Sequence, residues 1–284
     1  MFNMGLIAFA GTILLSAKAD TVHSRGAGGY AGVNGIKMYY EIYGTGKPIV
    51  LIHGGGSTIN TSFGTILPML EKSFKVIAVE LQGHGHTIDR NSPESFEQDA
   101  DDVAGLLYFL KISKASFLGF SNGGNTAIQI ANRHPEIVNK LILASAFYKR
   151  EGMMPGFFER LKKATLNDMP QQLKDAFLKI NPDSVKLVTM FNKDRERMVN
   201  FKDWKDETLS SIEAPTLLII GDRDVVLASH ACAMANLIPN CRLMILPAAH
   251  GSYIGVAENG NPDMTMVRFT VHIIEKFLNE GNGK

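Results

Sequence analysis

"ASFLGFSNGG", residues 115–124, decides how the rest of the chain is read. It opens as a short apolar run and leads into "NTAIQIANRHPE" (125–136), an amphipathic stretch of helical composition. One serine and three glycines therefore stand where a buried strand hands over to a helix. Glycine is a poor residue in either element, so its clustering marks a backbone that turns sharply or lets another segment approach closely. Gly119-Phe120-Ser121-Asn122-Gly123 is a G-x-S-x-G sequence, and a strand before it with a helix after it is the context that gives this pattern meaning. Ser121 would then be held on a strained turn with its hydroxyl outward. The following helix N-terminus would favour negative charge developing beside it.

Working outward, the same strand–helix rhythm recurs. "PIVLIHGGG" (48–56), "FKVIAVE" (74–80), "KLILASA" (140–146), "PTLLIIGD" (215–222) and "CRLMILP" (241–247) are further apolar runs. Amphipathic stretches such as "SFEQDADDVAGLLYFLK" (95–111) lie between them, and "IKMYYEIYG" (36–44) alternates as an early antiparallel strand would. Apolar strands separated by helices predict an α/β fold whose mostly parallel sheet is buried on both faces by flanking helices. Functional residues are expected in loops at the C-terminal strand ends. Residues 148–208 break the rhythm: three prolines, five methionines and several aromatics, but no buried-strand run. This segment is read as an inserted helical cap between core segments 32–147 and 209–284. Of Phe157, Phe158, Phe191 and Trp204, most would pack the insert and a few would line a pocket.

A nucleophilic serine needs a base and an acid to orient it, here in the chain order Ser, Asp or Glu, His. The run 215–222 ends in two acids, Asp222 and Asp224, and His250 follows the run 241–247. Each falls at a C-terminal strand end, the edge that also carries Ser121. "HGHTID" (84–89) offers two histidines around a glycine, but nothing nearby completes a metal-binding set. No metal and no other cofactor is expected.

Composition bounds the rest. The chain has 284 residues, 45% of them hydrophobic, enough for one large core, and a formal net charge of +1. Such a balance gives no electrostatic reason to bind nucleic acid or an anionic membrane. The N-terminal "MFNMGLIAFAGTILLSAKAD" carries an apolar stretch from Met4 to Leu15, shorter than the roughly 20 residues of a spanning helix. With Ala17-Lys18-Ala19 behind it, the stretch is read as a signal peptide (1–19) cleaved before Asp20. The protein would then be exported without a stable membrane anchor; a cytoplasmic location is the alternative. Residues 20–31 are read as a flexible leader. Cys232 and Cys241 are read as two buried free thiols, although a disulfide between them stays open.

These residues together resemble the α/β-hydrolase superfamily over about residues 30–280, through "HGGG", "VELQGHG", "GFSNGG", "GDRD" and "AAHG". The resemblance implies that Asp224, last residue of a G-x-x-D pattern beginning at Gly221, is the acid of a Ser121–Asp224–His250 triad. It also implies that "HGGG" (53–56) is the oxyanion loop. Gly55 would supply one backbone N–H, with Gly54 or Gly56 as substitutes, and Asn122 the second; His53 would hold the loop through its ring. Two positions depart from the family pattern: Glu80 where aspartate is common, and Asn122 where methionine or glutamine is. Neither removes a catalytic group. The implied activity is that of a serine hydrolase acting on an ester, thioester or lactone of a small, fairly apolar acid. Alternatives are C–C bond cleavage in ring-fission products, release of an N-terminal proline (with Glu151, Asp168 or Asp175 receiving the amino group), or a non-catalytic ligand receptor.

Overall fold

A computed structural model describes residues 26–281, so the expected signal peptide at 1–19 lies outside the described residues. Among the described residues eight strands form one sheet: β1 (Ala27–Val33), β2 (Ile36–Tyr43), β3 (Lys47–Ile52), β4 (Phe74–Val79), β5 (Ala115–Phe120), β6 (Val138–Ala144), β7 (Thr216–Arg223) and β8 (Cys241–Ala249). Their order is β1-β2-β4-β3-β5-β6-β7-β8. Pairings β1–β2 and β2–β4 are antiparallel and the others parallel.

The central strands read as unbroken apolar runs because alternate residues enter two different cores. Val50, Ile52, Phe117, Leu141 and Leu143 face one core, together with α3 (Phe96–Phe109) and α4 (Asn122–Arg133). Ile49, Leu51, Leu118, Ile142 and Ala144 face the other. That second core is closed by α1 (Ile59–Phe63), α2 (Leu67–Leu70) and, at the C-terminal end, Met264–Asn279. With both faces covered, neither set of side chains can be polar without a desolvation penalty.

Chain order places the functional edge. β3 leads to β4 on one side of itself, whereas β5 lies on its other side and leads on to β6. The strand order therefore reverses between β3 and β5. Loops leaving the C-terminal ends of two such strands diverge to opposite faces and open a crevice. "HGGG" leaves β3 and Ser121 leaves β5, so both stand at this crevice.

Between β6 and β7 the chain is helical: α5 (Phe157–Lys163), α6 (Gln171–Ile180), α7 (Ser184–Val199) and α8 (Glu207–Ser210). Met169, Leu173, Phe177, Leu187 and Met190 form a small core of the insert's own. Phe158 and Phe201 instead join the core of the body, and Trp204 packs edge-on against Phe96 and Phe201. After β7 come α9 (Ala228–Leu237) and α10 (Met264–Asn279). Among the described residues no helix is long and apolar enough to cross a membrane.

Two expectations need correction. Residues 27–31, read as leader, belong to β1, paired from Ala27↔Ile42 to Val33↔Ile36. The strand escapes an apolar-run reading because rings lie across its glycines. A side-chain carbon at Gly28 would come 2.6 Å from Tyr39 Oη, and one at Gly29 2.8 Å from Tyr40 Oη. The cysteines are indeed free, but Cys232 is exposed on α9 rather than buried, and Cys241 is half-buried.

The β1–β2 hairpin turns at Asn34-Gly35, both with positive φ (43° and 85°), as a two-residue hairpin turn requires. The space around Gly35 is open, so a methyl group there meets nothing and acts through backbone strain alone. Gly35→Ala is expected to cost about 1 kcal/mol and to lower the thermal midpoint by about 2–4 °C, read by differential scanning calorimetry. An unchanged midpoint would contradict this turn assignment.

Candidate active site

Ser121 has φ 52° and ψ −122°, a conformation a residue with a side chain rarely adopts. Three hydrogen bonds hold it there: its N–H donates to Ala144 O (2.8 Å), and its carbonyl accepts from the N–H groups of Gly124 (2.8 Å) and Asn125 (3.2 Å). The flanking glycines serve close approach. A side-chain carbon on Gly119 would lie 2.1 Å from Gly123 O, and one on Gly123 would lie 2.1 Å from Ile52 O. Strand β5, the turn and helix α4 are thus pressed against the end of β3, and Ser121 is the residue left projecting.

His250 follows β8 and meets Ser121 across the crevice, with Nε2 3.1 Å from Ser121 Oγ. Its Nδ1 is 2.6 Å from Asp224 Oδ1, which also accepts the Val226 N–H at 3.2 Å. Asp224 Oδ2 accepts from Ser145 Oγ at 2.5 Å, and Ser145 Oγ lies 2.6 Å from Tyr253 Oη. Ser145 has one hydroxyl proton and spends it on the carboxylate, so Tyr253 donates to Ser145. Sequence reasoning missed Ser145 and Tyr253. The available signal was a serine ending the run 140–146 on the same sheet edge.

The two candidate acids separate by burial. The Asp224 side chain is 0% exposed and Asp222 50%. Asp222 Oδ1 accepts the Ala248 N–H at 2.9 Å, and among the described residues Asp222 makes no hydrogen bond or ion pair with His250. Burial works to raise the Asp224 pKa, but the His250 contact and the Ser145 hydroxyl hold it below the ordinary carboxylate value. Burial works to lower the His250 pKa, yet the hydrogen bond and charge of Asp224 lift it above 6.5.

The "HGGG" loop sits directly against the nucleophile: a side-chain carbon at Gly54 would lie 3.3 Å from Ser121 Cβ. His53 holds the loop as expected. Its Nδ1–H donates to Gly54 O (2.7 Å), and Nε2 accepts the Leu81 N–H (3.0 Å), so the ring is neutral. Burial pulls its pKa down to about 3. Of the loop's amides, Gly54 N–H is given to Ser62 Oγ (3.3 Å) and Gly56 N–H to Asp194 Oδ2 (2.5 Å). Among the described residues the N–H groups of Gly55 and Asn122 have no acceptor, the latter being the first amide of α4. The geometry leaves free the two amides expected to bind an oxyanion, and it uses up the substitutes.

Ser121 and His250 open into a cavity of about 330 Å³. Phe147 and Val226 contribute apolar wall from the body, and Met153, Phe157, Leu173 and Phe191 from the insert. Its charged lining is Asp168, Asp194, Arg195 and Glu258. Of the acids considered for an amino group, Asp168 lines the cavity but its Oδ2 caps the Thr165 N–H (2.8 Å); Glu151 and Asp175 are exposed and away from the cavity lining. His84 and His86 do not converge on one point. The first pairs with Asp194 (2.9 Å) and the second with Glu80 (2.9 Å).

The family model described as the α/β hydrolase fold matches residues 47–186. The human serine hydrolase BPHL is 29% identical over 280 aligned residues, which cover 88% of this chain and 92% of that protein. Among solved structures, a meta-cleavage product hydrolase from Pseudomonas fluorescens superposes with TM-score 0.73 at 24% identity, covering 91% of this chain and 99% of that one. An enol-lactonase from Burkholderia xenovorans gives TM-score 0.69 at 24% identity, covering 89% and 100%. The chain belongs to the α/β-hydrolase superfamily.

The unequal surroundings of the two acids predict unequal effects on His250. Followed by NMR, the imidazole of the native protein is expected to titrate above 6.5. In Asp224→Asn burial acts without its opposing charge, so the midpoint should fall. Asp222→Asn should leave it in place. A fall in the second variant and not the first would exchange the two assignments.

Proposed function

We propose that this α/β-hydrolase is a serine hydrolase that cleaves a carboxylic ester, thioester or lactone of a small, fairly apolar acid through an acyl-enzyme. One observation carries the reading: an ordered Asp224–His250–Ser121 relay opens into the same apolar cavity whose rim holds two unpaired amides. In this reading the helical insert is the cap that supplies one wall of the cavity. A volume of about 330 Å³ stands at the small end of ligand sites, which favours a compact acyl group.

Ser121 Oγ attacks the carbonyl carbon and its proton passes to His250 Nε2. Asp224 keeps the ring in the tautomer that can accept that proton and stabilises the resulting imidazolium. The carbonyl oxygen, now an oxyanion, accepts the Gly55 and Asn122 N–H groups, each worth about 3 kcal/mol in the transition state. Collapse breaks the bond to the alcohol or thiol, which leaves with the proton from His250. In a lactone the leaving hydroxyl stays tethered to the acyl group. Water then gives a proton to His250 and attacks the acyl-enzyme, releasing the acid and restoring Ser121.

A second reading, C–C bond hydrolysis of a ring-fission product, is favoured by Arg195. This residue lines the same cavity and could meet a substrate carboxylate, although its Nη1 already donates to Ala164 O (2.9 Å).

The test is turnover of p-nitrophenyl esters from acetate to dodecanoate, set beside lactones and a dienoate ring-fission product. Rates should be highest for short acyl chains. Ser121→Ala should lower kcat at least about 10³-fold with an unchanged thermal midpoint; normal turnover by that variant would refute the nucleophile. Only neutral His250 accepts the proton, so kcat/KM should rise with pH through the His250 pKa, which lies above 6.5. An acid limb below that value would contradict the Asp224–His250 coupling.

A further inference from the structure

Three consecutive glycines at 54–56 carry no side chains to restrict them, so hydrogen bonds must fix the directions of their amides. Residues of the body hold Gly54, through Ser62 and His53. Gly56 is held from elsewhere. Its nearer acceptor, at 2.5 Å, is Asp194 on α7 of the helical insert, 138 residues along the chain, while His84 Nε2 of the body lies 3.2 Å from the same nitrogen.

Asp194 is the centre of a buried ionic cluster. Its Oδ2 takes the Gly56 N–H (2.5 Å) and His84 Nε2 (2.9 Å), while Arg197, one turn further along α7, donates to Oδ1. Arg197 Nη1 also donates to Asp99 Oδ2 (2.7 Å). His84 Nδ1 lies 2.8 Å from Gln82 O and Nε2 2.9 Å from Asp194 Oδ2. With a proton on each nitrogen the ring is charged, and Nε2 then cannot accept the Gly56 N–H 3.2 Å away, which is left to Asp194. Burial opposes that charge, but Asp194 overcomes it and lifts His84 to about 9. Glu94 completes the group. Neither of its carboxyl oxygens has a hydrogen-bond partner among the described residues; Oε2 lies 3.7 Å from Arg197 Nη1, and burial pushes its pKa up against that charge. Arg197 thus meets three carboxyl groups, those of Glu94, Asp99 and Asp194, and His84 meets the last of them. A buried cluster tied together in this way has few geometries open to it, and it grips the loop by one amide.

We propose that Asp194 is a positioning residue for hydrolysis: by holding the Gly56 N–H from the insert, it orients the loop so that Gly55 N–H is the amide left for the oxyanion. The oxyanion hole is then complete only while the insert is docked on the body. The inference rests on the serine-hydrolase reading and assigns to the insert a part in transition-state binding beyond forming a cavity wall.

The experiment compares native protein, Asp194→Ala and Asp194→Asn, with active sites counted by a fluorophosphonate. Each is measured for kcat, KM, and affinity for an alkyl boronic acid, which forms a tetrahedral adduct, and for the product acid, which does not. Asp194→Ala should lose about 10- to 100-fold in kcat, less than the 10²–10³ of an outright donor deletion. KM and product-acid affinity should stay within about threefold, and boronate affinity should fall in step with kcat. Asp194→Asn keeps an oxygen for the Gly56 N–H and should recover most of the loss. Should Asp194→Ala fail to fold, Asp194→Ala combined with Arg197→Met removes the cation otherwise stranded, and the same readouts apply. A folded variant with native kcat and boronate affinity overturns the role of Asp194. So does a loss shared equally by boronate and product acid, which is what a merely structural role gives. A native protein that neither reacts with the fluorophosphonate nor binds the boronate overturns the serine-hydrolase reading as well.

Discussion

The contact on which this structure turns is the absence of room at the end of β5. With carbonyl oxygens 2.1 Å from where side-chain carbons would stand on Gly119 and Gly123, strand, turn and helix must be packed backbone against backbone. That closeness forces Ser121 into a positive-φ conformation, costing about 1–3 kcal/mol, which the surrounding core must over-determine. It also delivers the first free amide of α4 and the hydroxyl of Ser121 to one point. Strain, nucleophile and anion-binding end of a helix are thus three consequences of a single steric constraint.

Everything else converges on that point because of the sheet's order. β3 and β5 are neighbours whose onward connections run to opposite sides, so the glycine loop and the nucleophile meet without crossing chains. β7 and β8 pair in parallel, carrying Asp224 and His250 to the same edge. Beneath them, Tyr253, Ser145 and Asp224 form a buried line of donors and acceptors ending at the imidazole. In a medium of low dielectric such a line is strong when every member is paired and costly when one is missing.

What could be read from the residues follows the same physics. The central strands were legible because burial on two faces leaves a plain apolar run, and Ser121, Asp224 and His250 because each ends such a run. β1 was hidden: its glycines make space for Tyr39 and Tyr40, so packing removed the very side chains that would have formed a strand pattern. Asp222 and Asp224 are alike in type and differ in burial, which spacing does not reveal. Ser145–Tyr253 and Gly56–Asp194 join residues 108 and 138 positions apart, and no local periodicity encodes such a meeting. The insert was legible as helical, but the division of its aromatics was not. Phe157 and Phe191 line the cavity while Phe158 and Trp204 pack elsewhere, and the side each takes depends on how the insert sits.

The central claim is that Ser121 carries the acyl group between two half-reactions. Mass spectrometry of the intact protein, quenched in acid within milliseconds of mixing with a p-nitrophenyl ester, tests it most directly. The expected result is a transient mass increase equal to one acyl group less one hydrogen, localised by peptide mapping to the segment containing Ser121 and absent in Ser121→Ala. Burst release of p-nitrophenol with no adduct at Ser121, or with the adduct on another residue, would contradict it.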